Sequence, residues 1–245
     1  MVVLEWIAIV AFAGLWLFVL GQVALGVAAL GPVALLALLA VPLGFVGADL
    51  FTGFGHFFAD NFAAVDTPII GHALVFRFRQ HHEDQLIICG LTFRELNGGL
   101  AMLMVPALAL TAAFAPVSAS LGGLLVGVFV LSLALFGAAT NQIHRWAHDA
   151  RRPALVVPLQ RAGVLLSPLH HAGHHRAPHD VRFCITAGWL NPWLDRAGVW
   201  HRLADLLVAL RVPQADESVM GWRRQEARAA ARSAPVLGAE ALEPR

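Results

Sequence analysis

Twelve histidines occur in the 245-residue chain, and ten of them form a pattern. They are His56; the pair His81 and His82; His144 and His148; and His170, His171, His174, His175 and His179, the last five packed into SPLHHAGHHRAPH. Side chains spaced i, i+3 and i+4 share a helix face, so His144 with His148, and His171 with His174 and His175, are each expected to point one way. Neutral imidazole is a strong ligand for iron, copper and zinc, and no thiolate cluster or carboxylate-rich calcium loop competes for that role here. A structural zinc site closes with four ligands, and a catalytic one takes three from the protein. Eight or nine clustered histidines exceed the needs of one zinc. Two metals sharing them would keep open positions for dioxygen.

Blander readings exist for the parts. A lone histidine such as His56 is ordinarily a hydrogen-bonded residue at a membrane boundary, and the tract from 170 to 179 alone fits a His-rich metal sink. Three separate clusters with helical spacing favour a site. Asp49, Gly53, His56 and Asp60 recur at four, three and four residues, which puts two carboxylates on the helix face of a histidine. Ionisable groups there are costly without a partner and default to function. His72 and His201 stand outside the pattern and are expected at the surface or in packing.

The elements that must position these residues are membrane helices. Of the residues, 58% are hydrophobic and 13% charged, far from a typical soluble mixture. No charge lies between Glu5 and Asp49, and none between Glu95 and Arg145. Since one crossing takes about 20 residues, each gap holds two. Turns are expected at LGPVA (30–34) and FAPVSAS (114–120), where glycine and proline break the helix. The fold class expected is therefore all-α integral membrane, with four transmembrane helices over roughly 5–26, 33–58, 98–114 and 121–143 in two hairpins. A cleavable signal peptide is not expected, because no positive segment precedes the first apolar span.

Segments 59–97 and 144–211 are too apolar and aromatic to be linkers and are expected to form a helical cap carrying the histidines. Both turns lack arginine, whereas the first cap segment holds Arg77, Arg79 and Arg94 and the tail holds fourteen more. The positive-inside rule then places the cap and both termini in the cytoplasm, as in a multi-pass protein of a bacterial inner membrane. All ten patterned histidines fall at that face. Trp200, Leu203, Leu207 and Leu210 share one face of a helix over 199–211, which either packs on the cap or lies in the interface. Residues 1–211 make one domain, and 212–245 read as a polar, partly disordered tail. Cys89 and Cys184 lie on the reducing side, so no disulfide is expected. The net charge of +1 gives no nucleic-acid surface.

Six runs carry a resemblance: DLFTGFGHFFAD (49–60), FRQHHED (78–84), FRELNG (93–98), NQIHRWAH (141–148), LSPLHHAGHHRAPH (166–179) and FCITAGWLN (183–191). In this order they closely resemble the Kua family, over about residues 45–211. That family comprises plasmanylethanolamine desaturases and plant chloroplast desaturases acting on phosphatidylglycerol. The resemblance implies an integral-membrane di-iron oxidoreductase that uses O2 and two electrons to dehydrogenate a lipid chain. Carried over position by position, it makes His56, His81, His82, His144, His148, His171, His174 and His175 the ligands of two iron ions, with His170 and His179 as further candidates. Asp49, Asp60, Glu95 and Asn141 match polar positions and are either ligands, hydrogen-bond partners that fix imidazole tautomers, or helix caps. Gln85 stands where the family commonly has proline, and Phe57 where it commonly has tryptophan. Neither is a proposed ligand, so the departures bear on substrate preference.

The substrate implied is a membrane phospholipid, the alkyl ether of a plasmanylethanolamine becoming the vinyl ether of a plasmalogen. An acyl-lipid desaturase or hydroxylase would use the same metals. Arg77, Arg79 and Arg145 are candidates for the lipid phosphate. Without a flavin, pyridine-nucleotide or haem-attachment fingerprint, electrons must come from a cytochrome b5-like protein or a ferredoxin with its reductase. A metal sensor or transporter would want polar residues deep in its helices, and helices one and three have almost none.

Overall fold

The computed structural model describes residues 2–68, 71, 75–176 and 178–213. Ten α-helices occur among them: α1 (Val2–Leu30), α2 (Ala40–Asn61), α3 (Phe76–Glu83), α4 (Ile87–Gly90), α5 (Phe93–Phe114), α6 (Leu121–His148), α7 (Val156–Arg161), α8 (Pro168–His171), α9 (Asn191–Arg196) and α10 (Val199–Ala209). Three helical stretches are long and apolar enough to cross a membrane: residues 2–61, 93–114 and 121–148.

The first stretch differs from the expected pair of helices separated by a loop. Its backbone stays helical through Gly31–Leu39, which tightens into a 3₁₀ helix between α1 and α2. A straight helix of that length would reach about 90 Å, some three times the hydrocarbon thickness. The stretch does not run straight. Glu5, near its start, meets Arg77 and Arg94, while the carbonyl of Ala59, near its end, accepts from Arg79 Nε at 3.0 Å. Both ends therefore reach α3. The reversal begins at Gly31, whose φ of +59° suits a residue without a Cβ, and Pro32 fits the start of the 3₁₀ segment because it lacks the amide that would go unbonded.

The other two boundaries moved for local reasons. α5 starts at Phe93 because Thr92 and Glu95 form a capping box ahead of the apolar run. Ser120 caps α6 by accepting from Gly123, and the helix continues past 143 to His148, so it carries His144 and His148 itself. α6 is the central element and packs against α1, α2 and α5. Trp16 Nε1 donates to the Leu131 carbonyl at 3.0 Å, and Ser132 Oγ to that of Val41 at 2.7 Å. Gly44 lets α2 approach closely, since a Cβ there would stand 2.4 Å from the Phe129 carbonyl oxygen.

An aromatic cluster of Phe57, Phe62, Phe183, Cys184, Trp200 and Ala204 joins the end of α2 to α10. α10 buries Trp200 in it, with Leu203 and Leu207 alongside. Leu210 lies beyond the end of α10 and is exposed, so it leaves the expected stripe. Residues 214–245, which hold most of the expected tail, and His72 lie outside the described residues. Both cysteines are free.

Candidate metal centre

The stripe read on α2 faces one extended segment, residues 181–189. Asp49 Oδ1 accepts the backbone amides of Thr186, Ala187 and Gly188 at 2.9, 2.9 and 3.1 Å, and its Oδ2 that of Trp189 at 3.1 Å. One turn on, Gly53 gives the segment room, because a Cβ there would lie 2.6 Å from Cys184 Sγ. The clasped segment then offers carbonyls to the histidines. His56 Nδ1–H donates to Phe183 at 3.3 Å and His174 Nδ1–H to Val181 at 2.7 Å. A carbonyl cannot donate, so both rings carry the proton outward and turn a free Nε2 lone pair inward.

Those lone pairs meet Asp60. Its Oδ2 lies 3.3 Å from His56 Nε2, 3.1 Å from His82 Nε2 and 3.7 Å from His174 Nε2, with both carboxylate and imidazoles buried or nearly so. His56, Asp60, His82 and His174 form one group whose ligand atoms all lie within 4.8 Å of one another. His81, His144, His148, His171 and His175 form a second. There His144 Nε2 stands 2.7 Å from His171 Nε2, His148 Nε2 3.3 Å from His144 Nε2, and His175 Nε2 2.9 Å from His171 Nε2. His81 is aimed by an outward Nδ1–H to the Phe78 carbonyl. The groups adjoin through the neighbours His81 and His82, whose rings are 4.7 Å apart, and through His82 and His175 at 5.0 Å.

Converging nitrogens of this kind repel unless something positive lies among them. His56 Nε2, His81 Nε2, His174 Nε2 and Asp60 Oδ1 are buried without a hydrogen-bond partner, which is costly for groups that otherwise always find one. Burial first, and then the adjacent imidazoles, hold His81 and His171 well below the ordinary imidazole pKa and His175 down to about 2. These rings stay neutral and ready as ligands. Both groups can hold a metal ion, and the set of imidazoles with one carboxylate suits iron or zinc.

All eight histidines carried over from the motifs fall in the two groups, and Asp60 joins them. The expected common face of His171, His174 and His175 is not kept. α8 ends at His171, and the chain turns so that His174 serves one group while His171 and His175 serve the other. The remaining candidates do other work. Asp49 is the clasp on 186–189. Glu95 caps α5, accepting from the Thr92 amide at 2.9 Å and hydroxyl at 2.7 Å. His170 Nε2 accepts from Asn191 Nδ2 at 2.9 Å, which occupies its lone pair. His179 Nδ1–H donates to the His174 carbonyl at 3.1 Å, and its ring lies 5.1 Å from that of His82. Asn141 Nδ2 donates to the Leu96 carbonyl at 2.9 Å. His201 pairs with Asp180 at the surface. Of the arginines read as phosphate contacts, Arg77 meets Glu5 and the Glu95 carbonyl, Arg79 the carbonyls of Ala59 and Ala63, and Arg145 the Leu91 carbonyl and Asp149. Sequence reasoning missed Glu5 as the partner of Arg77 and Arg94. Its place as the one acid in an apolar N-terminal span was the available signal.

A family model described as a lipid desaturase domain matches residues 45–215, the part of the chain that holds both groups. The chain belongs to this lipid desaturase family. It is 39% identical to plasmanylethanolamine desaturase 1 of Mus musculus over 196 residues, 78% of this chain and 72% of that one. It is 38% identical to the plasmanylethanolamine desaturase of Myxococcus xanthus over 156 residues, 64% of this chain and 55% of the relative. Against the chloroplastic fatty acid desaturase 4 of Arabidopsis thaliana the identity is 34% over 162 residues, 65% and 48% of the two chains. The match thus spans about half the length of the latter two. No solved structure matches the chain.

In this desaturase domain two cavities adjoin the histidines. An apolar cleft of about 330 Å³ lies between α2 and α5 over α6, lined by Phe51, Phe54, Phe58, Leu100 and Leu103 among others and by the fully buried His56. Its threonines expose little polarity, because Thr52 and Thr140 donate to the Ala48 and Phe136 carbonyls at 2.8 Å. A smaller cavity of about 80 Å³ is lined by His81 and His144 together with Arg77, Gln80 and Glu95. Phe78 and Asn141 line both.

Proposed function

We propose that this chain is a membrane di-iron lipid desaturase that converts the alkyl ether of a plasmanylethanolamine into a vinyl ether. The observation that carries the reading is the pair of adjoining groups, one of four ligands and one of five, beside an apolar cleft in a family of lipid desaturases. The relatives named as plasmanylethanolamine desaturases support the ether substrate. His56, Asp60, His82 and His174 would hold one iron, and His81, His144, His148, His171 and His175 the other. With O2 and two electrons, bound iron supplies the oxidising power that an unactivated C–H bond requires.

The residues of the chain do the rest. Outward Nδ1–H bonds from His56, His81 and His174 to carbonyls fix these three rings, so they need not turn during the reaction. The apolar cleft takes the hydrocarbon chain, excludes water and sets the reacting carbons beside His56. In the overall balance two hydrogens leave neighbouring carbons, and with two electrons and two protons from outside they reduce O2 to two waters. The electrons come from a cytochrome b5-like protein or a ferredoxin.

The same reading has four membrane crossings in two hairpins, with residues 1–211 as one domain and the cap in the cytoplasm. The arginine distribution and the meeting of Glu5 with Arg94 at the cap support it. The test is lipid mass spectrometry on a host that contains ether lipids and lacks its own desaturase for them, expressing this chain or its His174→Ala variant. Acid-labile vinyl ethers from the parent chain alone are expected. New double bonds in acyl chains instead would move the substrate to acyl lipids, and no new unsaturation with a competent electron donor would refute the enzyme.

A further inference from the structure

α2 carries four glycines, and three of them, Gly44, Gly47 and Gly53, face a neighbouring element. At Gly44 and Gly53 a Cβ would strike Phe129 and Cys184, so those positions are bare because a neighbour needs the space. At Gly55 a Cβ would meet nothing within 4 Å. Glycine inside a helix costs about 0.5–1 kcal/mol against alanine, and here no packing contact explains the cost. Gly55 does, however, line the apolar cleft, and it directly precedes His56. Phe51 and Phe58 stand four residues before it and three after, on the same helix face, and both are over a third exposed. The exposed surface of α2 thus has two phenyl rings with a position bare of side chain between them, on the cleft that His56 also lines.

We propose that Gly55 is the portal of the cleft: the hydrocarbon chain of a membrane lipid crosses the outer face of α2 there, between Phe51 and Phe58, to reach the metal centre. The inference rests on the lipid desaturase reading and adds the residue that decides which chains enter. A linear saturated chain fits a notch one side chain wide, and filling the notch excludes it without touching a metal ligand. Leu103 of α5, on the opposite wall, bounds the same opening.

The test uses the full-length, metal-loaded protein with Gly55→Ala, Gly55→Leu and Gly55→Phe. Gly21→Leu on α1 serves as control, because it also fills open space but lies away from the cleft. Four quantities are read: binding of a synthetic saturated ether phospholipid by native mass spectrometry, turnover of that lipid, metal per chain and thermal stability. Gly55→Leu and Gly55→Phe are expected to weaken lipid binding and turnover by about tenfold or more, the equivalent of ~1.4 kcal/mol of lost chain contact. Metal content should hold and thermal stability stay level or rise, with Gly55→Ala between these variants and the parent. The portal is overturned if Gly55→Leu binds the lipid as the parent does, if Gly21→Leu loses as much, or if the Gly55 variants lose metal or stability first. Failure of the parent chain to desaturate any lipid would refute the enzyme reading separately, and the binding series would still decide the portal.

Discussion

Replacing Asp49 by asparagine separates two roles that its place beside the histidines suggests, ligand and clasp. The carboxylate holds four backbone amides of segment 186–189. Asparagine keeps one oxygen, so three charge-assisted bonds become neutral ones, each weaker by about 1 kcal/mol. The fourth amide then faces an NH2 group and is left unpaired, at a further ~1–3 kcal/mol. Relief of the burial cost of the carboxylate offsets part of this, leaving about 2–4 kcal/mol of lost stability. For a chain of this size that corresponds to a fall of roughly 5–15 °C in Tm. The loosened segment also carries the Val181 and Phe183 carbonyls that aim His174 and His56, so the group around Asp60 should lose its metal before the all-histidine group does. Thermal scans of the metal-loaded protein, with metal analysis, check both. An unchanged Tm and metal content would refute the clasp, and loss of metal at an unchanged Tm would make Asp49 a ligand.

Other expectations follow from the same geometry. In the metal-free protein His81, His171 and His175 are held below the ordinary imidazole pKa, so the unfolded chain binds more protons than the folded one as pH drops. Stability should be full above about pH 6.5 and fall as acid is added below it, with bound metal flattening the curve; a Tm of the metal-free protein that rises between pH 7 and pH 5 would refute this. Cys184 is fully buried and its thiol is pushed up by burial, whereas Cys89 is partly exposed. A thiol reagent at neutral pH should therefore label Cys89 first and Cys184 only on unfolding, as read by peptide mass spectrometry. Glu5→Ala removes the partner of Arg77 and Arg94 from a buried position and should cost about 3 kcal/mol, seen as a Tm roughly 6–12 °C lower.

The histidine clusters were legible because imidazole in a mostly apolar chain has few other uses, and all eight motif histidines reached the centre. Their division between two groups was not legible. His81 and His82 are neighbours, as are His174 and His175, yet each pair splits between the groups, and spacing cannot say which ring turns which way. The expected helical run through 171–175 failed because α8 ends after one turn, which releases His174 toward Asp60. The stripe on α2 was real, but three of its members, Asp49, Gly53 and His56, meet the segment 181–189, a partner more than a hundred residues away in sequence. The reversal near Gly31 could be placed from glycine and proline, while the persistence of helical backbone through it could not, since a 3₁₀ turn and a loop share those residues.

The two-metal claim is met most directly by counting iron. Protein purified from cells grown on ⁵⁷Fe should contain two irons per chain, with Mössbauer parameters of adjacent sites in nitrogen-rich surroundings. Asp60→Asn and His148→Ala should each fall to about one, from different groups, and each loss should abolish lipid desaturation. One iron or none in a preparation that still forms the double bond would contradict the account.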